Sequence, residues 1–188
     1  MEALIRLARK STIGGHHERH PYSPALSGGP AVRNVQASER ATAVEGPVKV
    51  ITRSLGFSTS GDADLVNITA SVRSLLEESG LAAGSATIFV PGATGALTTL
   101  EFEPGVVADF RRLFDRLVPA TEEYDHNKTH PDLNGHAHVR SGLLGPSLVV
   151  PFVDGALCLG KWQEISFVCF DNRPRERTVI VQFMGVAR

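Results

Sequence analysis

The chain has 188 residues, a formal net charge of −1 at pH 7 and 42% hydrophobic residues, values that are ordinary for a globular protein. The near-neutral charge gives no general electrostatic reason to bind nucleic acid or a membrane, so we expect neither as a partner. No run reaches the roughly 18 apolar residues of a membrane span. The N-terminus also lacks the apolar centre of a signal peptide, which favours a cytoplasmic protein.

The length predicts one domain with an appendage. Residues 1–46 are poor in aromatics and rich in glycine, proline and polar residues, so we expect a disordered extension. His16, His17 and His20 in this segment would bind metal only adventitiously, because a flexible tail supplies no fixed surroundings. The domain is expected to span residues 47–188. Cys158 and Cys169 lie in separate apolar runs and are predicted to be buried thiols.

The first half of the domain alternates strand and helix patterns. An apolar stripe at 3.6-residue spacing predicts a helix over 64–79, which Gly80 would end. A second amphipathic helix is predicted from Pro104 to Pro119. The β-branched and apolar runs between and before the helices predict strands at 48–52, 85–90 and 96–102, with a break at 91–95.

The C-terminal third is predicted to be all strand. Asp154-Gly155 is a favoured two-residue hairpin turn, and apolar runs flank it at 147–152 and 156–159. Further strands at 165–170 and 178–183 would complete an antiparallel meander. Two helices before a run of strands indicate the α+β class, in a single compact domain.

The residues suited to chemistry are concentrated between Tyr124 and Gln163. Three neutral imidazoles, those of His126, His136 and His138, would suit Zn²⁺ or a similar divalent ion. His136 and His138 share a side of a strand but lie about 200° apart on a helix, and Asn134 is a good helix N-cap. In a helix at most one of the two would face a given metal. The alternative to the three-histidine site is that His136 caps the turn or donates to a backbone carbonyl, while His126 and His138 alone reach the pocket.

The same segment also fits a phosphate ligand. Arg140, Lys128 and the N-terminus of a helix near Asn134 would gather negative charge. We add Asn127, Trp162 and Gln163 to the candidate ligand-binding residues; the sole tryptophan is otherwise a core or interface residue. Glu101 is a general base, a residue that orients a histidine, or an outward-facing strand residue. The arginines of the last turn are placed on the surface or at a subunit contact, with a phosphate-binding role as the alternative: Arg173, Arg175 and Arg177.

A set of spaced motifs resembles the YjbQ family, whose members have been described as secondary thiamine-phosphate synthases. The resemblance covers about residues 47–188 and rests on Glu101, Tyr124-x-His126, His138-x-Arg140-x-x-Leu143-Leu144-Gly145-x-Ser147-Leu148, Leu159-Gly160-x-Trp162-Gln163 and the final arginine-rich turn. It implies a large, mostly antiparallel sheet, a homotrimer, and a histidine pocket for a metal or phosphate. The family pattern has a further histidine where this chain has Gly92, and this chain adds His136.

The leading hypothesis from the sequence is therefore a YjbQ-like enzyme with weak thiamine-phosphate synthase activity. His138, His126 and Glu101 are the candidate catalytic residues, a divalent Zn²⁺ or Mg²⁺ ion is the candidate cofactor, and a small phosphorylated molecule is the expected partner. The alternatives are a non-catalytic trimeric protein that binds a metal or a phosphorylated metabolite, and a metal-dependent hydrolase.

Overall fold

The computed structural model describes residues 43–187, which belong to a compact unit spanning Ala41–Arg188. Most of the predicted N-terminal extension, including its three histidines, lies outside the described residues. Regular structure begins at Val48. The elements in chain order are β1 (Val48–Thr59), β2 (Asp64–Asn67), α1 (Thr69–Ser79), β3 (Leu81–Phe89), β4 (Gly95–Leu100), α2 (Pro104–Leu117), α3 (Asp125–Thr129), α4 (Gly135–Leu144), β5 (Ser147–Val153), β6 (Ala156–Leu157), β7 (Glu164–Cys169) and β8 (Arg175–Ala187).

The strands form two antiparallel sheets, which confirms the α+β class. The larger sheet has the order β1-β8-β3-β5-β6, and the smaller one has the order β2-β7-β4. The predicted C-terminal meander is wrong, because β7 and β8 belong to different sheets. Strand β7 pairs with β2 and β4, whereas β8 pairs with β1 along its full length and with β3.

Strand β7 is buried on both faces and separates two apolar clusters. Ile165, Phe167 and Cys169 face the larger cluster, which also takes side chains from both sheets and from α1. Val168 and the following Phe170 face a smaller cluster, which α2 and α4 cover. Successive side chains of a strand point to opposite faces, so this one segment contributes to both cores.

The first predicted helix is shorter than expected. Residues 64–67 form β2, and the helix starts only at Thr69. These four residues fit a helical stripe, but their backbone pairs with Cys169–Ser166 of β7, and this tertiary pairing overrides a weak local preference. Gly80 ends α1 in the left-handed conformation (φ 65°), as predicted.

The second predicted helix is confirmed as α2. Pro104 occupies its first turn, and the carboxylate of Glu103 accepts hydrogen bonds from the backbone N–H groups of Gly105 and Val106. The structure has two more helices in residues 43–187 than the two predicted, α3 and α4. The α4 helix follows Asn134, where the sequence allowed one, but the Asn127 side chain caps it by accepting from the N–H of Gly135 (2.9 Å).

The predicted hairpin is confirmed, with positive φ angles at Asp154 (54°) and Gly155 (76°). Its second strand, β6, has only two residues. Cys158 therefore lies beyond the sheet and is exposed, contrary to the predicted burial, whereas Cys169 is buried in β7 as predicted. None of the helices within residues 43–187 has the length and apolar character needed to cross a bilayer.

Candidate functional site

The polar residues of α4 point to two different parts of the molecule. His136 and Arg140 are four residues apart, so they share one face of the helix, and both are buried. His138 lies on another face, where its ring centroid is 4.4 Å from that of His126. The helical alternative from the sequence is thus the observed one, and His136 and His138 do not face a common point.

Arg140 is an interior residue and lies outside the cleft described below. Its side chain is 0% exposed; Nε donates to the carbonyl of Val118 (2.9 Å) and Nη2 to Asp115 (2.9 Å). Val118 follows the last turn of α2, so Arg140 ties α4 to the end of that helix. The phosphate-binding role predicted for Arg140 is therefore not supported, because the guanidinium is used inside the domain.

The histidine cluster consists of His126, His130 and His138. The rings of His126 and His130 stack in parallel at 4.5 Å, and Nε2 of His126 lies 3.1 Å from Oδ1 of Asn134. Burial, and next the neighbouring imidazole of His126, lower the pKa of His138 below its ordinary value; Asp171 and a hydrogen bond with the Ala93 backbone oppose this only partly. His138 is therefore expected to be neutral at pH 7.

His138 lines an open cleft of about 330 Å³. The cleft lies where the loop between β3 and β4, the start of α4 and the start of β8 meet. Its polar lining residues are Thr94, Asp132, Asn134, His138, Asp171, Arg175, Glu176 and Arg177. The structure thus brings His138 together with a set of charged residues that the sequence analysis did not place beside it.

Asp171 is the central residue of the cleft and is almost fully buried. One oxygen, Oδ2, accepts hydrogen bonds from Thr94 Oγ1 and Arg175 Nε (both 2.9 Å) and lies 3.5 Å from Arg177 Nη2. Burial alone would raise the pKa of Asp171. The hydrogen bonds from Arg175 and Thr94, with the charges of Arg175 and Arg177, outweigh burial, so this pKa lies below its ordinary value. Asp171 is consequently a carboxylate shared by two guanidinium groups.

Arg177 is held rigidly at the base of this group. Its Nη2 donates to Thr94 Oγ1 (2.9 Å) and to the Sγ atom of Cys169 (3.1 Å). Its Nε is buried and has no hydrogen-bond partner among residues 43–187. Arg175 is more open, with 30% of its side chain exposed against 12% for Arg177.

Asp171 and Thr94 are absent from the residues predicted from the sequence, and Arg175 and Arg177 were favoured as surface or subunit-contact residues over a phosphate-binding role. A signal for the two arginines exists in the alternation of β8. Val179, Val181 and Phe183 face the core, and the same period of two places Arg177 and Arg175 on that inward face. The signal was lost because the predicted strand began only at Thr178.

Two other candidate residues lie apart from the cleft. Glu101 follows β4, is exposed, and is not a lining residue. Lys128 pairs with Asp125 (2.7 Å) on the exposed side of α3 and lines a separate depression of about 250 Å³ with Tyr124 and Asn127. The structure therefore does not bring either residue together with His138.

Trp162 and Gln163 also lie outside the cleft. The indole is 62% exposed, and the Lys161 ammonium lies 4.6 Å from its ring centroid. Gln163 donates to Thr99 Oγ1 (2.9 Å) and accepts from the N–H of Gly160 (3.1 Å), so its amide fixes the turn before β7. Neither side chain contacts the histidine cluster.

The donor atoms do not match the metal site expected from the sequence. No group of three or more His, Cys, Asp or Glu side chains within residues 43–187 is arranged to hold a metal ion. His126 and His138 adjoin one another, but His136 is buried on another face of α4, and its Nδ1 has no partner among these residues. We therefore derive no chemical step through a metal.

A larger cavity of about 510 Å³ lies between the end of α1 and the β5–β6 hairpin. Its charged lining residues are Arg73 and Glu77, and the others are aliphatic residues and glycines. It contains no histidine or buried charge pair, so size alone does not make it the functional site. The chemistry favours the smaller cleft at His138.

Comparison with known proteins assigns the chain to a family. The sequence model of the family described as UPF0047 protein YjbQ-like matches residues 53–186. A UPF0047 protein of Methanothermobacter thermautotrophicus is 35% identical over 73% of this chain and 94% of its own length, and UPF0047 protein YugU of Bacillus subtilis is 36% identical over 71% and 98%. The solved structure of a YbjQ-like protein of unknown function from Sulfolobus solfataricus has a TM-score of 0.71 and 32% identity, covering 74% of this chain and 99% of its own. The solved structure of a hypothetical protein from Aeropyrum pernix has a TM-score of 0.68 and 33% identity, covering 72% of this chain and 98% of its own. The chain therefore belongs to the YjbQ-like UPF0047 family, as its motifs predicted.

Proposed function

We propose that the cleft binds the phosphate group of a small phosphorylated molecule. The observation that carries this proposal is the pairing of two guanidinium groups, Arg175 and Arg177, with the single carboxylate of Asp171. One positive charge of the three residues is left without a matching negative charge. Arginine binds phosphate well because its planar N–H groups match the spacing of phosphate oxygens.

Two further acids, Asp132 and Glu176, line the cleft and oppose this excess of positive charge only weakly. Asp132 lies 3.8 Å from Arg173, and Glu176 accepts a hydrogen bond from Ser58 Oγ (2.6 Å). Both acids are exposed, so water and salt weaken their effect on a ligand at the partly buried arginines. The neutral imidazole of His138 offers a further hydrogen-bonding group without adding negative charge.

A titration with inorganic phosphate, in which calorimetry measures the binding affinity, tests the proposal. Arg175→Gln is the test variant, and Arg173→Gln is the matched control, because Arg173 lies in the same turn but does not line the cleft. We expect Arg175→Gln to weaken phosphate binding by about tenfold or more, the usual effect of losing a charge-assisted hydrogen bond. Arg173→Gln should change affinity by less than about twofold, because exposed charges are screened.

Two results would contradict phosphate binding in this cleft. Wild-type protein without measurable affinity for phosphate at millimolar concentration is one of them. The other is equal loss of affinity in the two arginine variants, which would reflect general surface charge. Thermal unfolding of each variant separates loss of binding from loss of fold.

A thiamine-phosphate synthase-like transfer is the reaction we propose to test in the same cleft. The bond between the pyrimidine methylene carbon and a diphosphate oxygen breaks, and diphosphate leaves with the bonding electrons. The thiazole nitrogen then forms the new bond to that carbon. The arginine pair beside the neutral His138 supports this candidate, because cations stabilise the departing diphosphate.

A turnover assay with the pyrimidine diphosphate and the thiazole phosphate separates an enzyme from a binding protein. We expect His138→Gln to abolish product formation with phosphate affinity largely retained. Glu101→Gln should keep the wild-type rate, because Glu101 lies outside the cleft. Absence of product from wild-type protein that binds phosphate would leave the binding function and reject the transfer.

A homotrimer, implied by the family resemblance, remains our proposal for the assembly. Its support is the outer face of the larger sheet, where neighbouring strands expose Val50, Phe89, Val149 and Met184. Light scattering after size-exclusion chromatography should give three times the mass of one chain. Met184→Glu should lower that mass, because a charge would have to be buried in the interface.

A further inference from the structure

One edge of the Arg177 guanidinium remains open toward the cleft. Nη2 uses its donors on Thr94 and Cys169, and Nε is buried without a partner among the described residues. Nη1 is the remaining nitrogen, and within residues 43–187 it is neither hydrogen-bonded nor fully buried. The 12% of the Arg177 side chain that is exposed therefore includes the Nη1 edge.

Gly92 lies directly beside this edge. A Cβ atom built on Gly92 would be 3.9 Å from Arg177 Nη1 and 3.8 Å from Val90 Cγ1, which are ordinary contact distances. The backbone of Gly92 is not in the positive-φ region, so its conformation is open to other residues. Neither backbone strain nor a close approach explains the glycine here, and its effect is to leave Nη1 uncovered.

The loop that carries Gly92 is fixed on both sides. The Gly92 N–H donates to the carbonyl of Val90 (2.9 Å), and Thr94 contacts both Asp171 and Arg177. The carbonyl of Thr94 accepts from the N–H of Phe170 (2.9 Å). A side chain added at position 92 would therefore stay next to Arg177, because the loop is held by these bonds.

We propose that Gly92 is a specificity-determining position that gives a terminal phosphate access to Nη1 of Arg177. This inference rests on the proposed phosphate-binding function and names the ligand class. The arginine is recessed, so a phosphate monoester or the end of a diphosphate reaches it. A phosphate diester is excluded from the proposed ligand class, because it has one fewer free oxygen and one fewer negative charge to offer the recessed guanidinium.

A graded pair of substitutions in the full chain tests this role, with phenyl phosphate and diphenyl phosphate as probes. Gly92→Leu should weaken phenyl phosphate binding by about tenfold or more, because its side chain covers the donor edge. Gly92→Ala should have a smaller effect in the same direction. Gly142→Leu is the matched control and should bind as wild type, because a Cβ atom on that exposed helical glycine meets nothing within 4 Å. Wild type should bind the monoester and not the diester.

The possible results distinguish the proposed role of Gly92 from the proposed phosphate-binding function. If wild type binds phenyl phosphate, Arg175→Gln weakens it, and Gly92→Leu binds as wild type, the role of Gly92 is overturned and phosphate binding stands. Equal affinity of wild type for the two esters overturns the ligand class. No binding of phenyl phosphate or inorganic phosphate by wild type overturns both proposals. Gly92→Ala and the ester comparison decide the question even if Gly92→Leu does not fold.

Discussion

Two arginine clusters with similar chemistry have different roles in this protein. In the closed cluster, Arg140 donates to Asp115 and to the Val118 carbonyl and has no exposed surface. In the open cluster, Arg175 and Arg177 share Asp171, and an edge of Arg177 faces the cleft. The difference shows that the role of an arginine depends on whether the fold leaves part of its guanidinium accessible. A fully buried guanidinium joins elements, whereas a partly exposed one is available to a ligand.

The largest effect on stability is expected when the Arg140 side chain is removed from the closed cluster. Arg140→Ala is expected to lower the free energy of unfolding by about 2–4 kcal/mol, because a fully buried side chain is removed and α4 loses its hydrogen bond to the Val118 carbonyl at the end of α2. Urea denaturation measures the change. Phosphate affinity of the remaining folded protein should be unchanged. Wild-type stability in this variant would show that Arg140 does not join the two helices.

In the open cluster, we expect stability and binding to change in opposite directions. Asp171→Asn should lower the free energy of unfolding by about 1–3 kcal/mol, because two guanidinium groups lose their shared anion. It should also strengthen phosphate binding, since the ligand no longer competes with a carboxylate. Calorimetry and urea denaturation on one preparation test both effects. Weaker phosphate binding would contradict the assigned charge balance.

The same carboxylate predicts how stability depends on pH. The pKa of Asp171 is lower in the folded protein than in the unfolded chain, where it is about 3.9. Its contribution is therefore present above about pH 4 and is lost as the pH falls through the folded-state pKa. Urea denaturation between pH 5 and pH 2 should show that the free energy of unfolding falls less steeply with decreasing pH in Asp171→Asn than in wild type. Identical slopes would exclude this linkage.

A smaller effect is expected at the exposed partner of the closed cluster. Asp115 is 63% exposed, so Asp115→Asn should cost less than about 1 kcal/mol, as is usual for ion pairs that reach solvent. Urea denaturation compares this variant with Arg140→Ala. A cost as large as that of Arg140→Ala would mean that the ion pair, rather than burial and the Val118 carbonyl, holds the closed cluster together.

The smallest effect is expected from metal removal. Dialysis against EDTA should leave the melting temperature and the phosphate affinity unchanged, because residues 43–187 provide no three-ligand metal group and the open cluster binds anions through arginine. Elemental analysis of wild type and the His126→Ala, His138→Ala double variant provides the control. Stoichiometric metal in wild type that is lost in the double variant, with a fall in affinity, would restore the metal hypothesis.

Local patterns in the sequence determined much of the fold. The stripe and capping residues of α2, the Gly80 stop and the Asp154-Gly155 turn depend on neighbours within a few residues. The family motifs also identified His126 and His138, whose rings do adjoin. The 3.6-residue period also predicted correctly that His136 and His138 point in different directions when this segment is helical.

Tertiary structure alone decided the pairing of strands and the composition of the cleft. Residues 64–67 became a strand because β7 was available to pair with them, and β7 and β8 separated into two sheets. Asp171 joined Thr94 and Arg177 across 77 and 6 positions of the chain. Residue types indicate which contacts are chemically favourable, but burial and sheet register determine which partners meet. For this reason Arg140 is a buried residue that links α4 to the end of α2, and Arg177 lines the cleft. The sequence had favoured Arg140 as the ligand-binding residue and Arg177 as a residue of the surface or a subunit contact.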